Sequence, residues 1–483
     1  MEELLFKRGI ISLIFSVPTA LIFIAVNKNE PNPYMDEIFH IPQAGNFCHG
    51  NFTHWDNKIT TLPGIYILSQ TILSIIAFLS NKSLVELCNV QWLRFTNVIF
   101  ALCCFFVLKE IILVLNISNT SAPPRADKNK IASDDKKSNS NNAMQKSLSK
   151  DFGIKSDAMA LTLLNFPLLY FFSFFYYTDV GSTCFVLLSY LLSLKNYHFF
   201  SAVSGTLAIL FRQTNVVWIF FVFANSCLEF LSAQNSTESN DRGLLQALFD
   251  VILGGLNNFW KLLLKFYPYL SVFVGFVVFV YKNNGLVVGD RTNHEVSLNF
   301  PQVLYFSIFV MFFSCHLLTR YKQFIVSIKK INIWFCILTF IVMFLMVHHF
   351  TMAHRYLLAD NRHYTFYVWR KIINRSWYSR YMLIPAYFIS WMIMYNEMSK
   401  SNKKLWVFLF ILCTSVVLIP QKLLEFRYYI VPYILFKLHL PLSSFKEIAL
   451  EYFMYLLVNG FTFYMFLFKP FSWVDHSLQR FMW

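Results

Sequence analysis

The sequence predicts an all-α polytopic membrane protein, and three observations lead there. Hydrophobic residues make up 56% of the 483 and charged residues only 14%, against about a quarter charged in soluble domains. Apolar runs of about 18 residues or more, the length that crosses a bilayer as a helix, recur along the whole chain. Aromatic residues reach 19%, with 55 Phe. A soluble enzyme, a coiled coil and a disordered chain are excluded, because none could place so much apolar surface. A β-barrel does not fit either, because its strands are short and alternating.

The spans are expected at 9–26, 95–115, 158–176, 180–194, 196–211, 213–230, 262–281, 302–319, 331–350, 381–398, 405–420 and 446–468. The first follows Lys7 and Arg8 and lacks a cleavage site, so it reads as a signal anchor with a cytosolic N-terminus. Loop 27–61 then falls in the lumen. It carries Glu30, Asp36, Glu37 and Asp56 against Lys28 and Lys58. The polar, Lys-rich stretch 116–157 reads as a disordered linker and belongs in the cytosol by the positive-inside rule. Both placements hold only if 62–80 does not cross. Pro63 and Gly64 fit the start of a helix lying at the lumenal surface or re-entering. The expectation is therefore twelve spans with both termini cytosolic and a transmembrane core over 158–350. Segment 231–261 is polar and partly amphipathic. Lumenal exposure is expected for 27–94, Tyr176 to Asp179, the turn at Arg212, 282–301, 351–380 and 421–445.

The net charge of +15 comes from residues scattered between apolar spans. It is read as a topology signal plus phosphate recognition, not as a nucleic-acid surface. The Arg- and Lys-rich segments 351–380 and 421–445 run against the positive-inside rule, which suggests a phosphate site there. The nine cysteines show no metal spacing. Cys103, Cys104, Cys184, Cys315, Cys336 and Cys413 fall in apolar spans and read as small hydrophobes. Cys48 and Cys88 lie outside the spans, and whether they pair is left open. Sequons occur at Asn51, Asn81, Asn116, Asn119, Asn235 and Asn374.

Three stretches hold residues able to do chemistry. The first contains Asp36, Glu37 and His40, followed by Trp55, Asp56 and Lys58. Adjacent carboxylates just beyond a membrane exit, with a His nearby, make a general-base site, although a solvated interfacial loop would look the same. The second runs from His354 to Lys371. Asp360, Asn361, Arg362 and His363 place acceptors and donors in four consecutive positions, and Tyr364, Phe366, Tyr367 and Trp369 surround them with rings. Such rings stack on sugars or line a lipid groove; an anchoring belt is the plainer alternative. The third is a set of isolated polar groups. Arg212 with Gln213 interrupts an apolar run, Asp179 follows Tyr176-Tyr177-Thr178, and Arg427 precedes Tyr428-Tyr429. A charge so close to the membrane either snorkels or meets an anion. Asp290, Arg291, His294 and Glu295 read as an ordinary loop. No nucleotide-binding or metalloprotease motif is present, so a lipid phosphate is the natural substrate class.

PYMDEIFHIPQA (33–44), WDNKITTLPGIY (55–66), FRQTNVVW (211–218) and LLADNRHYTFYVWRK (357–371) closely resemble the endoplasmic-reticulum α-1,2-glucosyltransferase family that adds the last glucose to the lipid-linked oligosaccharide. The chain departs from the family in its longer 116–157 stretch and in Phe426, where a proline is expected before Arg427. The resemblance implies a GT-C-like fold of about twelve transmembrane helices with lumenal juxtamembrane helices. It also implies a dolichyl phosphate glucose donor, a dolichyl-pyrophosphate oligosaccharide acceptor, membrane lipid as surroundings, inversion at the sugar, and no metal or other cofactor. Nucleic acid is not an expected partner. In this reading Asp36 or Glu37 is the base. Arg362 and His363, with Arg212 and Arg427, hold phosphate. His40, Trp55, Asp56, Lys58, Asp179, Asp360, Asn361, Tyr364 and Trp369 contact substrate. The competing readings are a transporter or flippase, which usually shows internal repeats that are not found here, and a scaffold acting through 116–157.

Overall fold

The computed structural model describes residues 2–121, 153–234, 243–289, 291, 297–320, 326, 332–473 and 475–483. Most of the expected 116–157 linker lies outside these residues, as do Asp290, His294, Glu295 and the sequon Asn235. The described chain is a helical bundle, with one two-stranded hairpin pairing Phe471–Ser472 with Leu478–Gln479. Helices Val90–Asn116, Asn215–Gln234, Phe259–Asn283, Ile333–Phe350 and Phe445–Phe468 are long and apolar enough to cross a membrane. Gly64–Ser80, Thr178–Leu194, His198–Phe211, Leu244–Asn257, Pro301–Phe313 and Lys404–Leu418 are apolar but shorter. Many of the lipid-length helices are lined outward by exposed Phe, Leu and Ile. Their neighbours in lipid are as apolar as they are, so cohesion comes from side-chain packing. Phe166 illustrates this, with its ring against those of Phe309, Phe313, Tyr433 and Tyr455.

The first helix, Glu2–Asn29, is about 42 Å long at 1.5 Å per residue. The end of the bundle where it finishes is the one that matters here. Segment 62–80 forms the helix Gly64–Ser80, and both of its flanks are tied to this end. Before it, the Thr60 carbonyl accepts from Gln213 at 2.9 Å. After it, Cys88 forms a disulfide with Cys48, at the end of the helix Glu37–Cys48. Both flanks of the helix are thus held by this end of the bundle. Its start needs glycine. A Cβ at Gly64 would stand 2.6 Å from the Leu210 backbone, which no side chain tolerates.

Three expectations need correction. The expected span 158–176 is not continuous. Residues 153–164 are helical, the chain breaks, and a new helix starts at Pro167, whose missing N–H and fixed φ suit a first helical position. Segment 421–445 is not wholly at the site end. Its helix Ile430–Leu438 is buried throughout and dives back into the bundle. There Lys437 pairs with Glu451 at 2.9 Å, and Asn402 donates to the His439 carbonyl. The sequence reading placed no helix here, because nine residues with Pro432 are too short to read as a span. As a result, both termini do not share one face. The last helix, Phe445–Phe468, delivers the C-terminal tail to the end where the first helix finishes. There Arg480 donates to Glu30 at 2.9 Å and to the Asn29 carbonyl at 2.8 Å.

Candidate active site

Construction starts at Glu37, in the first turn of the helix Glu37–Cys48. It is fully buried opposite Arg94, which is also fully buried. Arg94 donates to both carboxylate oxygens, at 2.9 and 2.6 Å. The backbone N–H groups of Tyr34 and Tyr176 donate to the same carboxylate at 3.0 and 2.7 Å. The remaining Arg94 N–H groups reach the Glu30 and Asn32 carbonyls. This pair ties the loop at 30–36 and the loop at Tyr176 to the helix carrying Arg94, and leaves Glu37 little hydrogen-bonding capacity for a substrate.

Asp36 behaves differently. Met35 before it has φ 57°, an uncommon left-handed conformation for a non-glycine residue. Asp36 occupies the N-cap position but its side chain makes no capping hydrogen bond, although Asp is among the best capping residues. Its carboxylate turns instead toward Arg427, at 3.4 Å, and its side chain is 46% exposed. Withdrawal from water pushes the carboxyl up, but Arg427, His40 and His363 outweigh it and hold the group below the usual aspartate value. His40, whose Nδ1 lies 2.5 Å from the Tyr66 hydroxyl, is held down to about 4. Burial is the main cause, opposed by Asp36 and helped by Arg427.

Arg427 sits in the 3₁₀ turn Phe426–Tyr429. Its Nε meets Glu425, its Nη1 lies 3.8 Å from Asp179, and the guanidinium stands 5.4 and 5.3 Å from the rings of Phe172 and Tyr177. Phe426, in place of the expected proline, packs on Phe309 and Tyr429. Arg212 reaches the other oxygen of Asp179 at 3.0 Å and donates to Thr178 at 3.1 Å. Asp36, Asp179, Glu425, Arg212 and Arg427 thus form one cluster. A small polar cleft beside it is lined by Asn215, Trp218, Gln421 and Tyr428, among others.

The second motif makes its own set of contacts. Arg362 is held by Asp360 in a two-point pair, at 2.9 and 2.7 Å, and its guanidinium lies 4.5 Å from the Trp473 ring. Asn361 accepts from the Trp473 indole at 2.8 Å. His363 meets the Trp483 carbonyl, and the Tyr364 ring lies against Trp483. The tail connects this motif to the first. The Arg480 N–H donates to the Tyr34 hydroxyl at 2.8 Å, the Met482 N–H donates to the Arg362 carbonyl at 3.0 Å, and the Tyr364 N–H donates to Met482 at 3.2 Å. The two motifs are therefore neighbours, close enough for His363 to act electrostatically on Asp36.

The remaining candidates lie around this centre. Trp55 donates to the Ile59 carbonyl, Asp56 accepts from the Lys58 N–H, and the Lys58 ammonium stands over Phe39. Trp369 is buried and lines a different groove, with Leu357, Leu358, Phe366, Arg370 and Asn374. Sequence reasoning missed Glu425, Arg94 and the tail residues Trp473, Gln479, Arg480 and Trp483. A faint signal existed for two of them. Glu425 stands two positions before Arg427, and Arg94, like Arg212, is a lone cation at the edge of an apolar run.

A helical membrane protein with carboxylates and guanidiniums gathered at one end of its bundle has the make-up of a transferase that handles a charged lipid. Comparison with known sequences gives the specific family. The chain belongs to the DIE2/ALG10 family, whose profile matches residues 30–438. It is similar to the Dol-P-Glc:Glc(2)Man(9)GlcNAc(2)-PP-Dol alpha-1,2-glucosyltransferases of Rattus norvegicus and Homo sapiens. Each is 39% identical, over 96% of this chain and 96% of the relative. The enzyme of the same name from Arabidopsis thaliana is 35% identical over 98% of both. No solved structure matches the chain.

Proposed function

We propose that this chain transfers glucose from dolichyl phosphate glucose to Glc(2)Man(9)GlcNAc(2)-PP-dolichol, forming the terminal α-1,2 linkage, with its site on the lumenal side of the endoplasmic-reticulum membrane. Relatives carrying that name match almost end to end, and their names leave no place for a transporter or flippase. The single observation that carries the mechanism is the difference between the two adjacent carboxylates. Glu37 is buried and consumed by Arg94, while Asp36 stays partly exposed beside Arg427.

In this mechanism Asp36 takes the proton from the acceptor 2-hydroxyl as that oxygen attacks the anomeric carbon. The bond from that carbon to the donor phosphate oxygen breaks, and the phosphate leaves with the electron pair. Attack opposite the leaving group inverts the β-linked glucose to α, the same two-sided logic that inverting glycosidases use with water. Arg427 and Arg212 neutralise the charge that grows on the phosphate. Arg362, already matched by Asp360, shapes the adjoining wall with His363. His40, neutral at lumenal pH, adds no charge against the cations. Glu37 holds the loop that aims Asp36.

The test is glucosyl transfer by microsomes carrying Asp36→Asn at matched expression. A positioned base contributes about 10²–10⁴-fold, and a loss of that size is expected. Near-normal turnover would remove Asp36 from the role.

A further inference from the structure

Three carboxylates share two guanidiniums at the candidate site, and their holds on Arg427 are unequal. Glu425 meets Nε at the closest approach and is 10% exposed; Asp179 is 1% exposed and is also held by Arg212. Asp36 sits at 3.4 Å, long for a charge-assisted hydrogen bond, and is 46% exposed. The guanidinium has little freedom to follow a departing partner, since the rings of Phe172 and Tyr177 lie over it and Glu425 holds its edge. A donor phosphate arriving at this cluster adds a negative charge where carboxylates already outnumber the two arginines. At Nη1 it competes first with Asp36, the most exposed of the three carboxylates.

We propose that Arg427 is an exchangeable counter-ion: the donor phosphate takes its Nη1 edge from Asp36, and Glu425 is the positioning residue that keeps the guanidinium fixed during the exchange. The inference rests on the assignment of Asp36 as base. Without donor, the carboxylate is parked and weakly basic. With donor bound, its cation is occupied by phosphate and it becomes a stronger base, so proton removal is switched on by the substrate that needs it. The groups facing Asp36 in this exchange are His40 from its own helix, Tyr177, Arg427 with Glu425 and Asp179 around it, and His363 from the second motif.

The experiment compares two pH profiles of the intact enzyme in detergent with dolichyl phosphate glucose and acceptor. The dependence of kcat/KM for donor reports the free enzyme, and the single-turnover rate at saturating donor reports the donor complex. The donor phosphodiester keeps one negative charge throughout, so it does not titrate in the window. The acidic limb of the saturated profile is expected about one pH unit or more above that of kcat/KM, the size of shift that gaining or losing a nearby opposite charge produces. Superimposed limbs would overturn the exchange. Glu425→Gln leaves Arg427 a larger hold on Asp36, so the kcat/KM limb is expected to move down and the donor KM to rise, with Glu425→Asp restoring both. A Glu425→Gln enzyme that only loses abundance, its limbs unmoved, would overturn the positioning role. Full turnover by Asp36→Asn would instead sink the base assignment, whereas an inactive Asp36→Asn with coincident wild-type limbs would sink the exchange alone.

Discussion

Glu37 and Asp36 are neighbours in sequence with opposite fates, and each fate predicts a measurement. Breaking a buried, hydrogen-bonded ion pair by removing one partner leaves an uncompensated charge and costs about 3–5 kcal/mol. Arg94→Ala should therefore lower the thermal unfolding midpoint in detergent sharply and reduce the amount of folded enzyme. Arg94→Ala matching wild-type stability would show that the pair is not structural. His40 gives a prediction in pH. Its folded value of about 4 lies below the ordinary 6.5. Between those values the unfolded chain binds a proton that the folded chain does not, so stability rises with pH across that window and falls as pH drops through it. His40→Gln should flatten this dependence between about pH 6.5 and 4. The Asp36 carboxyl, shifted in the same direction, contributes in a lower window, since a depressed acid loses its stabilising charge only as pH falls through its folded value.

At the scale of elements, the helix Gly64–Ser80 is fastened at both ends. Opening the Cys48–Cys88 bridge with Cys48→Ser releases one end. The expected result is faster proteolysis within 81–89 in permeabilised microsomes, with transfer activity reduced but not abolished; unchanged proteolysis would show that packing alone holds the helix. The start of this element was legible in the sequence, because Pro63-Gly64 marks where the helix begins. The helix Ile430–Leu438 was not. A short buried helix that follows a 3₁₀ turn and contains proline has no span-length signal, and only its contacts with Glu451 and Asn402 reveal its course. The site shows the same division. Asp36, Arg212, Asp179 and Arg427 stood out as charges at membrane edges, which physics makes expensive. Glu425 and the tail did not, because their importance comes from partners distant along the chain.

At the scale of the whole molecule, the added pass puts the C-terminal tail at the same end as loop 27–61. A small epitope inserted at Ser472, in the hairpin turnward of Phe471, should be protected from protease in sealed microsomes and cleaved once they are permeabilised, and an epitope before the first helix should behave oppositely. Matching behaviour of the two epitopes would restore the even count. Polarity of this kind also makes sense of the cations at 351–380, which oppose the positive-inside rule. Arg362 is one that serves the site end, through its pair with Asp360, and so answers to chemistry more than to insertion.

Tyr34 and Arg480, whose mutual hydrogen bonds close the pocket, stand 446 positions apart. One half of the pocket leaves the ribosome early and the clasp that completes it leaves hundreds of residues later. A nascent chain halted in the translocon would therefore expose Asp36 and its loop without the second motif fixed beside it. On the proposed mechanism, a chain not yet extended through residue 480 lacks the clasp that sets its two motifs side by side.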